Sequence, residues 1–426
     1  MPENSTNEVL GKGNAAFDLS DSELVSIVQE GLAGIPAGAR VLAILPDKTR
    51  DDNTHVLLPA AADFLASRGV AAFDALIAQG THVPMTEKEK LDKAGMPNGL
   101  KNVGNIFDHG WDKEDELALI GELSSDQVKE ITGGLLTNPV RITLNKLLAP
   151  GVYDYVLVFG ATVPHEVAGF AGGGKYFFPG VAGPELTHNT HWLGALVTIA
   201  KTIGVVETPT RHMIEAAVSL VPAKIISLNS VCSRGDDNRL RTHGLFTGDI
   251  RGAFRSAAAV SRNVHIRYTH RQYKRVVALL DDHYDEMWVG GKASYRLGAV
   301  IEPGGELIVY APHLKHVSET HGKLIEKYGY QPLEVVVDLV KENDDLRNNL
   351  AVAAHLAHVA YAGRVNEQGE VVKRFDITLA TQLDEATCKR LHVGYLDHRE
   401  FKISDYEGDG DTLIVERAGR DLYLVE

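Results

Sequence analysis

Short apolar runs alternate with segments of helical periodicity along the first half of the chain. Residues 40–45 are almost entirely apolar and end at Pro46-Asp47, which is typical of a buried parallel strand. Residues 55–66 are apolar at helical spacing, and the strand pattern returns at 70–78 and 153–160. This alternation predicts an α/β fold with a doubly wound, mostly parallel sheet.

A new pattern begins after the basic and polar segment 268–275. Strand-like runs lie at 275–280, 306–311 and 378–380, and helical patterns at 292–301 and 332–340 separate them. We therefore predict a domain boundary near residue 270, with an N-terminal α/β domain (1–270) and a smaller C-terminal α/β domain (271–426). Residues 412–426 alternate like a β-hairpin, and we expect the tail 400–426 to pack back onto one of the domains, the N-terminal one being our first choice.

Composition and charge narrow the classes of protein that fit this sequence. The 426 residues carry a formal net charge of −14, which argues against a nucleic-acid partner or an anionic membrane, since either needs a basic face. The stretch through Ser26 lacks the apolar core of a signal peptide, and no segment is long enough to span a bilayer, so we expect a cytoplasmic protein. The only two cysteines, Cys232 and Cys388, argue against a thiolate metal site, whereas the 18 histidines offer imidazole ligands.

Each of the three strands predicted in the first half ends in a loop of reactive side chains. These loops are Pro46-Asp47-Lys48-Thr49-Arg50, Gly80-Thr81-His82 and Thr162-Val163-Pro164-His165. Taken singly, their residues are ordinary turn, N-cap and loop residues. Because ligands of open α/β sheets bind outside the carboxyl ends of the strands, the three loops together favour one shared site.

The segment 165–191 is dense in glycine, lysine and histidine. Gly172, Gly173 and Gly174 allow the backbone to approach a phosphate or a ring closely, and Lys175 adds a positive charge or a nucleophilic amine. The glycine spacing fits neither a Walker A motif nor the dinucleotide-binding fingerprint. His188 and His191 are three residues apart, as in a helical metal pair, although such histidines are more often capping or solvated side chains.

This segment, with three others, resembles a known family. His165-x-x-x-Gly169-Phe170-x-Gly172-Gly173-x-Lys175-x-x-x-Pro179-Gly180-Val181-Ala182 looks like the signature of the lactate racemase catalytic subunit family. Similar to its other blocks are Pro46-Asp47-x-Thr49-Arg50, Gly80-Thr81-His82-x-Pro84-Met85-Thr86 and Asn138-Pro139-Val140-Arg141-Ile142-x-Leu144-Asn145-Lys146. The blocks follow the family's order, and the resemblance covers about residues 40–315.

The resemblance implies a cofactor and the residues that hold it. The cofactor is a nickel-pincer nucleotide, a pyridinium-3-thioamide-5-thiocarboxylic acid mononucleotide whose two sulfurs and one ring carbon bind Ni2+. Lys175 matches the lysine that forms the thioamide, and His191 matches the histidine that completes the square-planar nickel. The full cofactor-binding set that we predict is Asp47, Thr49, Gly172, Gly173, Gly174 and Lys175. The resemblance also implies an active site in the cleft between the two domains, and maturation proteins as partners that assemble the cofactor.

The same resemblance implies inversion of a 2-hydroxy acid at C2. His82 and His165 match the two catalytic histidines, and Arg50 matches a substrate-orienting arginine. One histidine takes the hydroxyl proton while hydride leaves C2 for the pincer carbon, and the resulting 2-keto acid then receives hydride on its opposite face. Histidine suits this exchange because its ordinary pKa of about 6.5 permits both acid and base roles.

The substrate is predicted from the second half of the chain. Lys292 resembles a family lysine that holds the substrate carboxylate, although an exposed helical lysine is the plainer interpretation. Lactate-specific members place a tyrosine and then a glutamine ahead of that lysine, where this chain has Trp288-Val289-Gly290-Gly291, and Gly174 also departs from them. Lactate is therefore not our first choice.

Two features near Lys292 favour a larger substrate than lactate. In a helix over 292–301, Arg296 shares a face with Lys292 and could grip a second carboxylate, unless it points to solvent or pairs with an acidic residue. Gly290 and Gly291 would leave room for more than a methyl group. We therefore favour a malate-like dicarboxylate, with a gluconate-type sugar-acid 2-epimerase as the alternative.

Two functions of other classes stay open beside this isomerase. The first is a paralogue that binds the cofactor or a hydroxy acid without turnover, and the presence of His82, His165 and Lys175 argues against it. The second is a nicotinamide-dependent dehydrogenase, which requires a dinucleotide fingerprint that the sequence lacks. The sequence thus favours a nickel-dependent 2-hydroxy acid racemase or epimerase.

Overall fold

The structure, a computed structural model, describes residues 8–235 and 237–426. The chain divides into two compact units. Unit 1 is formed by Met1–Val163 (described from Glu8), Phe170–Thr190 and Val206–Val264, and unit 2 by Pro164–Gly169, His191–Val205 and His265–Glu426. The long C-terminal part of unit 2 thus begins at His265, and two short segments from the first half of the chain join it. The expectation about a signal peptide concerns a stretch whose residues 1–7 lie outside the described residues.

The strands and helices are numbered in chain order. The strands are β1 (Val9–Gly13), β2 (Arg40–Pro46), β3 (Ala72–Ala78), β4 (Ile106–Phe107), β5 (Leu117–Leu123), β6 (Val140–Asn145), β7 (Tyr155–Ala161), β8 (Pro164–His165), β9 (Gly169–Phe170), β10 (Lys224–Arg234), β11 (Leu240–Gly248), β12 (Ile266–Thr269), β13 (Tyr273–Leu279), β14 (Ile301–Ala311), β15 (Arg364–Val365), β16 (Val371–Val372), β17 (Phe375–Thr381), β18 (Gly394–Tyr395), β19 (Thr412–Val415) and β20 (Leu422–Val425).

The α-helices are α1 (Asp21–Leu32), α2 (Thr54–Ser67), α3 (Glu87–Lys93), α4 (Ser125–Thr132), α5 (Pro184–Val197), α6 (Ile199–Thr202), α7 (Pro209–Val218), α8 (Ile250–His265), α9 (Met287–Gly290), α10 (Lys292–Leu297), α11 (Gly322–Tyr328), α12 (Leu333–Glu342), α13 (Asp344–Arg347), α14 (Leu350–Val359) and α15 (Glu385–Arg390). Short 3-10 helices lie at Glu114–Glu116, Lys146–Leu148, Gly173–Tyr176, Gly298–Val300 and Ile403–Asp405. Within the described residues, no helix has the length and apolar character needed to cross a membrane.

Unit 1 is built on a seven-stranded sheet in the order β1-β11-β10-β7-β2-β3-β4. The neighbours from β10 to β4 are parallel, whereas β11 pairs antiparallel with both β10 and β1. This sheet confirms the predicted mostly parallel α/β architecture. The strands predicted at 40–45, 70–78 and 153–160 are β2, β3 and β7, and the helix predicted at 55–66 is α2.

Strand β2 shows why the first apolar run forms a central strand. Val41, Ala43 and Leu45 lie in a hydrophobic cluster with buried side chains of α1 and α2. Leu42 and Ile44 alternate with them and are also fully buried. A strand buried on both faces needs apolar residues at every position, and this explains why the run shows no alternation with polar residues.

Unit 2 contains a second, smaller parallel sheet. Its order is β18-β17-β14-β13-β19, and every neighbouring pair is parallel. The predicted strands at 275–280, 306–311 and 378–380 correspond to β13, β14 and β17. The helix predicted over 292–301 is shorter than expected, because α10 ends at Leu297 and the 3-10 helix Gly298–Val300 leads directly into β14.

The C-terminal residues do not form the predicted β-hairpin. Strand β19 pairs with β13, and β20 pairs with β12, both in parallel orientation. Both partners belong to unit 2, as does the whole tail 400–426. The alternation of apolar and polar residues gave the strand type correctly, but it carries no information about the pairing partner.

Candidate active site

A buried aspartate and a histidine from two strand-end loops are joined in unit 1. Asp47 follows β2 and is 3% exposed, and its Oδ2 lies 2.5 Å from Nδ1 of His82, which follows β3. Thr49 donates to Oδ1 of Asp47 from its backbone nitrogen (3.0 Å) and its hydroxyl (2.6 Å). Burial would raise the pKa of the Asp47 carboxyl, but the His82 hydrogen bond and the Arg50 charge hold that pKa well below its usual range.

The ionised Asp47 fixes the tautomer of His82. A carboxylate only accepts, so Nδ1 of His82 carries the shared proton and the lone pair of the neutral ring lies on Nε2. This is the arrangement of a general base with an orienting carboxylate. Asp47 and Thr49 were predicted to bind the cofactor. In the structure Asp47 is bonded to His82 and Thr49 is bonded to Asp47, and cofactor contacts by both stay a prediction.

Of the three strand-end loops predicted to share a site, those after β2 and β3 meet in unit 1 through Asp47 and His82. The segment 176–180 contacts the loop after β3 and the end of β7. Gly80 donates its backbone N–H to the carbonyl of Gly180 (2.9 Å), and the Tyr176 hydroxyl donates to the carbonyl of Ala161 (3.2 Å). Burial raises the pKa of the Tyr176 phenol well above its ordinary value, and Arg50 lies near enough to act against that rise. The end of the third loop departs from this pattern, since His165 belongs to unit 2.

The glycine loop that precedes Lys175 is held by two buried side chains of unit 1. Arg211 is 1% exposed and donates to the carbonyl oxygens of Phe170 and Gly172. The Asn229 side-chain oxygen accepts the backbone N–H of Gly173 (2.9 Å). The half-buried Lys175 follows in the 3-10 helix Gly173–Tyr176, so its position depends on this fixed loop.

Packing inside the protein accounts for the glycines at 172–174. Gly172 has φ 99°, and a Cβ there would lie 2.3 Å from the Thr162 hydroxyl oxygen. A Cβ on Gly174 would lie 2.9 Å from Ile214 and 3.0 Å from Val218. These close approaches explain the glycines without a bound phosphate, and their contacts with a cofactor stay a prediction.

Two buried hydroxyls beside the glycine loop are suited to a polar ligand. Thr162 directly follows β7 and Ser230 lies within β10, and the backbone N–H of Thr162 donates to the carbonyl of Ser230 (2.8 Å). Within the part of the chain that the structure describes, neither hydroxyl has a hydrogen-bond partner. Buried hydroxyls are rarely left unpaired, so these two would suit the polar parts of the predicted nucleotide cofactor, and such contacts stay a prediction. Sequence analysis did not assign either of them a role.

Helix α5 carries both histidines of the predicted metal pair. His188 belongs to unit 1, where burial lowers the pKa of its imidazole. Its Nδ1 is buried and has no hydrogen-bond partner among the described residues. His191 is half-buried and belongs to unit 2. His188 is therefore a neutral imidazole with an open nitrogen, a property of a metal ligand that the spacing alone did not reveal.

The second predicted catalytic histidine, His165, lies in unit 2. Its Nδ1 accepts the backbone N–H of Val167 (3.1 Å), so the neutral ring carries its proton on Nε2. Oε2 of Glu166 lies 3.8 Å from the same Nδ1. The tautomer of His165 is thus opposite to that of His82.

Glu166 faces the predicted substrate-binding cations of unit 2. Burial would raise the pKa of the Glu166 carboxyl, but the charges of His165, Lys292 and Arg296 hold that pKa well below its usual range. Glu166 is therefore ionised, and its negative charge offsets one of the two positive charges of Lys292 and Arg296. If His165 is neutral, this cluster keeps about one net positive charge.

Both terminal nitrogens of the Arg296 guanidinium in unit 2 donate to backbone carbonyls, whereas its buried Nε has no hydrogen-bond partner among the described residues. The side chain is 6% exposed, and it donates to the carbonyl oxygens of Arg420 (2.6 Å) and Pro164 (3.1 Å). Lys292 and Arg296 do share α10, as predicted. The backbone contacts show Arg296 in a bracing position that sequence periodicity could not distinguish from a ligand-binding one.

The space beside Gly290 and Gly291 is filled by the protein itself. A Cβ on Gly290 would lie 3.2 Å from Leu314, and a Cβ on Gly291 would lie 3.1 Å from both His355 Cε1 and the Tyr295 hydroxyl oxygen. The Tyr295 hydroxyl and Nδ1 of His355 are themselves hydrogen bonded at 2.6 Å. The prediction that these glycines leave room for a larger substrate is therefore wrong.

Comparison with known proteins identifies the family. Residues 27–204 match the lactate racemase N-terminal domain. No curated protein sequence matches the chain significantly. A crystal structure of a protein from Thermotoga maritima, from a structural genomics consortium, is 31% identical with a TM-score of 0.86, over 96% of this chain and 99% of that one.

The structure of the lactate racemase apoprotein from Thermoanaerobacterium thermosaccharolyticum is similar over 98% of this chain and 100% of that one. Its TM-score is 0.70 and its identity is 18%, so this likeness concerns the fold. The predicted fold class is confirmed. The N-terminal part of the chain, residues 27–204, thus belongs to the lactate racemase family as its N-terminal domain.

Proposed function

We propose that the protein is a 2-hydroxy acid racemase or epimerase that inverts C2 by reversible hydride transfer. The observation that carries this proposal is the His82–Asp47 pair of unit 1, in which a buried carboxylate leaves Nε2 of His82 open for a proton. A second histidine, His165, has the opposite tautomer in unit 2. Inversion requires one group that accepts the hydroxyl proton of one enantiomer and another that returns a proton to form the opposite one. Each ring can take either role, accepting as the imidazole and donating as the imidazolium.

The residues present fit a nickel-pincer nucleotide. Lys175 would hold it through the thioamide, Thr162 and Ser230 would supply polar contacts, and His191 would bind the nickel. When bound, the cofactor supplies a reversible hydride acceptor. The chain's own residues would bind the carboxylate through Arg50 and Lys292 and move the hydroxyl proton. Separate maturation proteins would assemble the cofactor.

A panel of hydroxy acids tests this proposal. The protein, co-expressed with a cofactor maturation system, should convert at least one pure enantiomer or epimer among malate, lactate and gluconate into its C2 counterpart. Chiral chromatography measures this conversion. A loaded protein that binds these acids but leaves all of them optically pure would instead be a non-catalytic paralogue. Activity that depends on added nicotinamide cofactor would indicate a dehydrogenase.

The substrate preference depends on Arg296. The sequence favoured malate on the premise that Arg296 grips a second carboxylate, but its guanidinium is buried and donates to two carbonyls. Because Glu166 offsets one of the two positive charges of Lys292 and Arg296, about one net positive charge remains, which matches a substrate with a single carboxylate. These observations favour a 2-hydroxy acid with a single carboxylate over malate.

We therefore expect Arg296→Ala to lower kcat/KM for malate, lactate and gluconate to a similar extent, because it removes a brace between two backbone segments of unit 2. Arg364→Ala, which changes an exposed arginine of the same unit, should leave all three values unchanged. A loss confined to malate would establish the role in binding a second carboxylate.

The nickel assignment is tested by replacing each of the two histidines of α5 separately. We expect His191→Ala to lose most of the bound nickel, measured by elemental analysis of the matured protein. His188→Ala should keep most of it, since the resemblance assigns the metal to His191. Equal losses in both variants would show that the open Nδ1 of His188 is also a ligand.

A further inference from the structure

Nδ1 of His165 has two alternative partners in unit 2. In the structure the backbone N–H of Val167 donates to it at 3.1 Å. Oε2 of Glu166, at 3.8 Å from the same nitrogen, lies beyond hydrogen-bonding distance in this state. A ring protonated on both nitrogens cannot accept the Val167 N–H, because Nδ1 then carries its own proton. At Nδ1, the protonated ring therefore needs an acceptor in place of the Val167 N–H.

Glu166 is positioned and ionised to be that acceptor. Its side chain is 17% exposed and that of His165 is 15% exposed, so water screens their attraction only in part. To accept the Nδ1 proton, Oε2 of Glu166 has to move into hydrogen-bonding distance. Besides His165, the groups that face Glu166 are two cations, Lys292 and Arg296, and three further titratable residues, Tyr295, His355 and His358.

The three further groups are neutral near pH 7. Burial raises the pKa of Tyr295 far above its ordinary value, and it lowers the pKa of His355 to about 3 and that of His358 to about 4. Near neutral pH, His165 is thus the group facing Glu166 whose charge can change during a reaction. A change in the Glu166 carboxylate should therefore be felt first at His165.

We propose that Glu166 is a positioning residue that stabilises the imidazolium form of His165, in the place that Asp47 occupies beside His82. This inference rests on the proposed function, since it takes His165 as one of the two acid–base groups. The resting ring, with its proton on Nε2, becomes the imidazolium by taking a proton from water at Nδ1, beside Glu166. In one direction the imidazolium gives its Nε2 proton to the carbonyl oxygen and keeps the Nδ1 proton. In the other direction Nε2 of that ring takes the hydroxyl proton back. Both directions thus pass through a charged ring, and each histidine has a carboxylate beside Nδ1.

The test measures the pKa of His165 directly, in cofactor-free full-length protein labelled at histidine and titrated by NMR. The His165 signal is assigned by its absence in His165→Gln. Glu166→Gln removes the charge and keeps the size, and we expect the pKa of His165 to fall by about one to three units. Glu367→Gln, the same change on an exposed side chain of unit 2, should leave it unchanged. An unchanged pKa in Glu166→Gln overturns the proposal.

A second variant guards against a folding defect. Glu166→Asp keeps the negative charge but places it one methylene farther from His165. The pKa of His165 in this variant should therefore lie between its values in wild type and in Glu166→Gln. If kcat falls in Glu166→Gln and falls by the same factor in Glu166→Asp, the effect does not come from the charge. The proposed function is tested apart from this, by inversion in the loaded wild type. If the His165 pKa responds while no hydroxy acid is inverted, Glu166 acts as proposed and the racemase assignment fails.

Discussion

Replacing Lys175 by alanine should abolish the covalent cofactor adduct and all inversion activity. The lysine lies in the 3-10 helix after a glycine loop that Arg211 and Asn229 hold in place, so the backbone that carries its side chain is fixed. Without that amine no thioamide forms, and nothing covalent retains the nucleotide. Intact-mass spectrometry of matured protein should therefore show the adduct in wild type and its complete absence in Lys175→Ala.

Two comparisons make this result specific. Lys129→Ala removes an exposed lysine of α4 in the same unit, and the adduct should remain. Lys175→Arg keeps a positive charge but cannot form the thioamide, so it should also lack the adduct. A mature wild type with the mass of the bare chain, still active after dialysis, would show that the attachment at Lys175 is wrong.

Loss of His82 should have the second largest effect. His82→Ala removes the base whose Nε2 lone pair is fixed by Asp47, and acid–base groups of this kind contribute about 10²–10⁴-fold to kcat. We expect a fall of that order in both directions of inversion. Asp47→Asn should give a smaller fall, because the base remains but the carboxylate that orients it is lost.

Steady-state kinetics of the loaded variants checks this expectation. His55→Ala changes an exposed histidine on α2 of the same unit and serves as the control, with activity near wild type. Cofactor content must be equal by mass spectrometry, so that a fall in kcat reflects proton transfer. Activity of His82→Ala near that of wild type would remove His82 from the mechanism.

The sequence predicts the fold well where one local pattern decides the structure. The unbroken apolar run of β2 has to be buried on both faces, and this predicted a central parallel strand. Proximity at the strand ends likewise predicted that the loops carrying Asp47 and His82 would meet. The pairing of β19 and β20 was missed because alternation describes the faces of a strand and not its neighbour.

The parts of the site that the sequence did not reveal depend on distant residues. Arg211, buried and bound to the carbonyl of Gly172, gives no sign of that contact in its own neighbourhood along the chain. Arg296 shares a helix with Lys292, but the carbonyl of Arg420 that occupies it lies 124 residues away. Glu166 is the exception, since it directly follows His165 and the dipeptide itself could have pointed to it.

The measurement that tests the central claim most directly follows the hydrogen on C2. A single enantiomer of a substrate found in the panel, labelled with deuterium at C2, is incubated with loaded protein in ordinary water. Hydride transfer through an enclosed cofactor predicts the opposite configuration at C2 with deuterium retained, because the transferred hydrogen never exchanges with solvent. Inversion with deuterium washed out into water would contradict hydride transfer, and no inversion by fully loaded protein would contradict the racemase assignment itself.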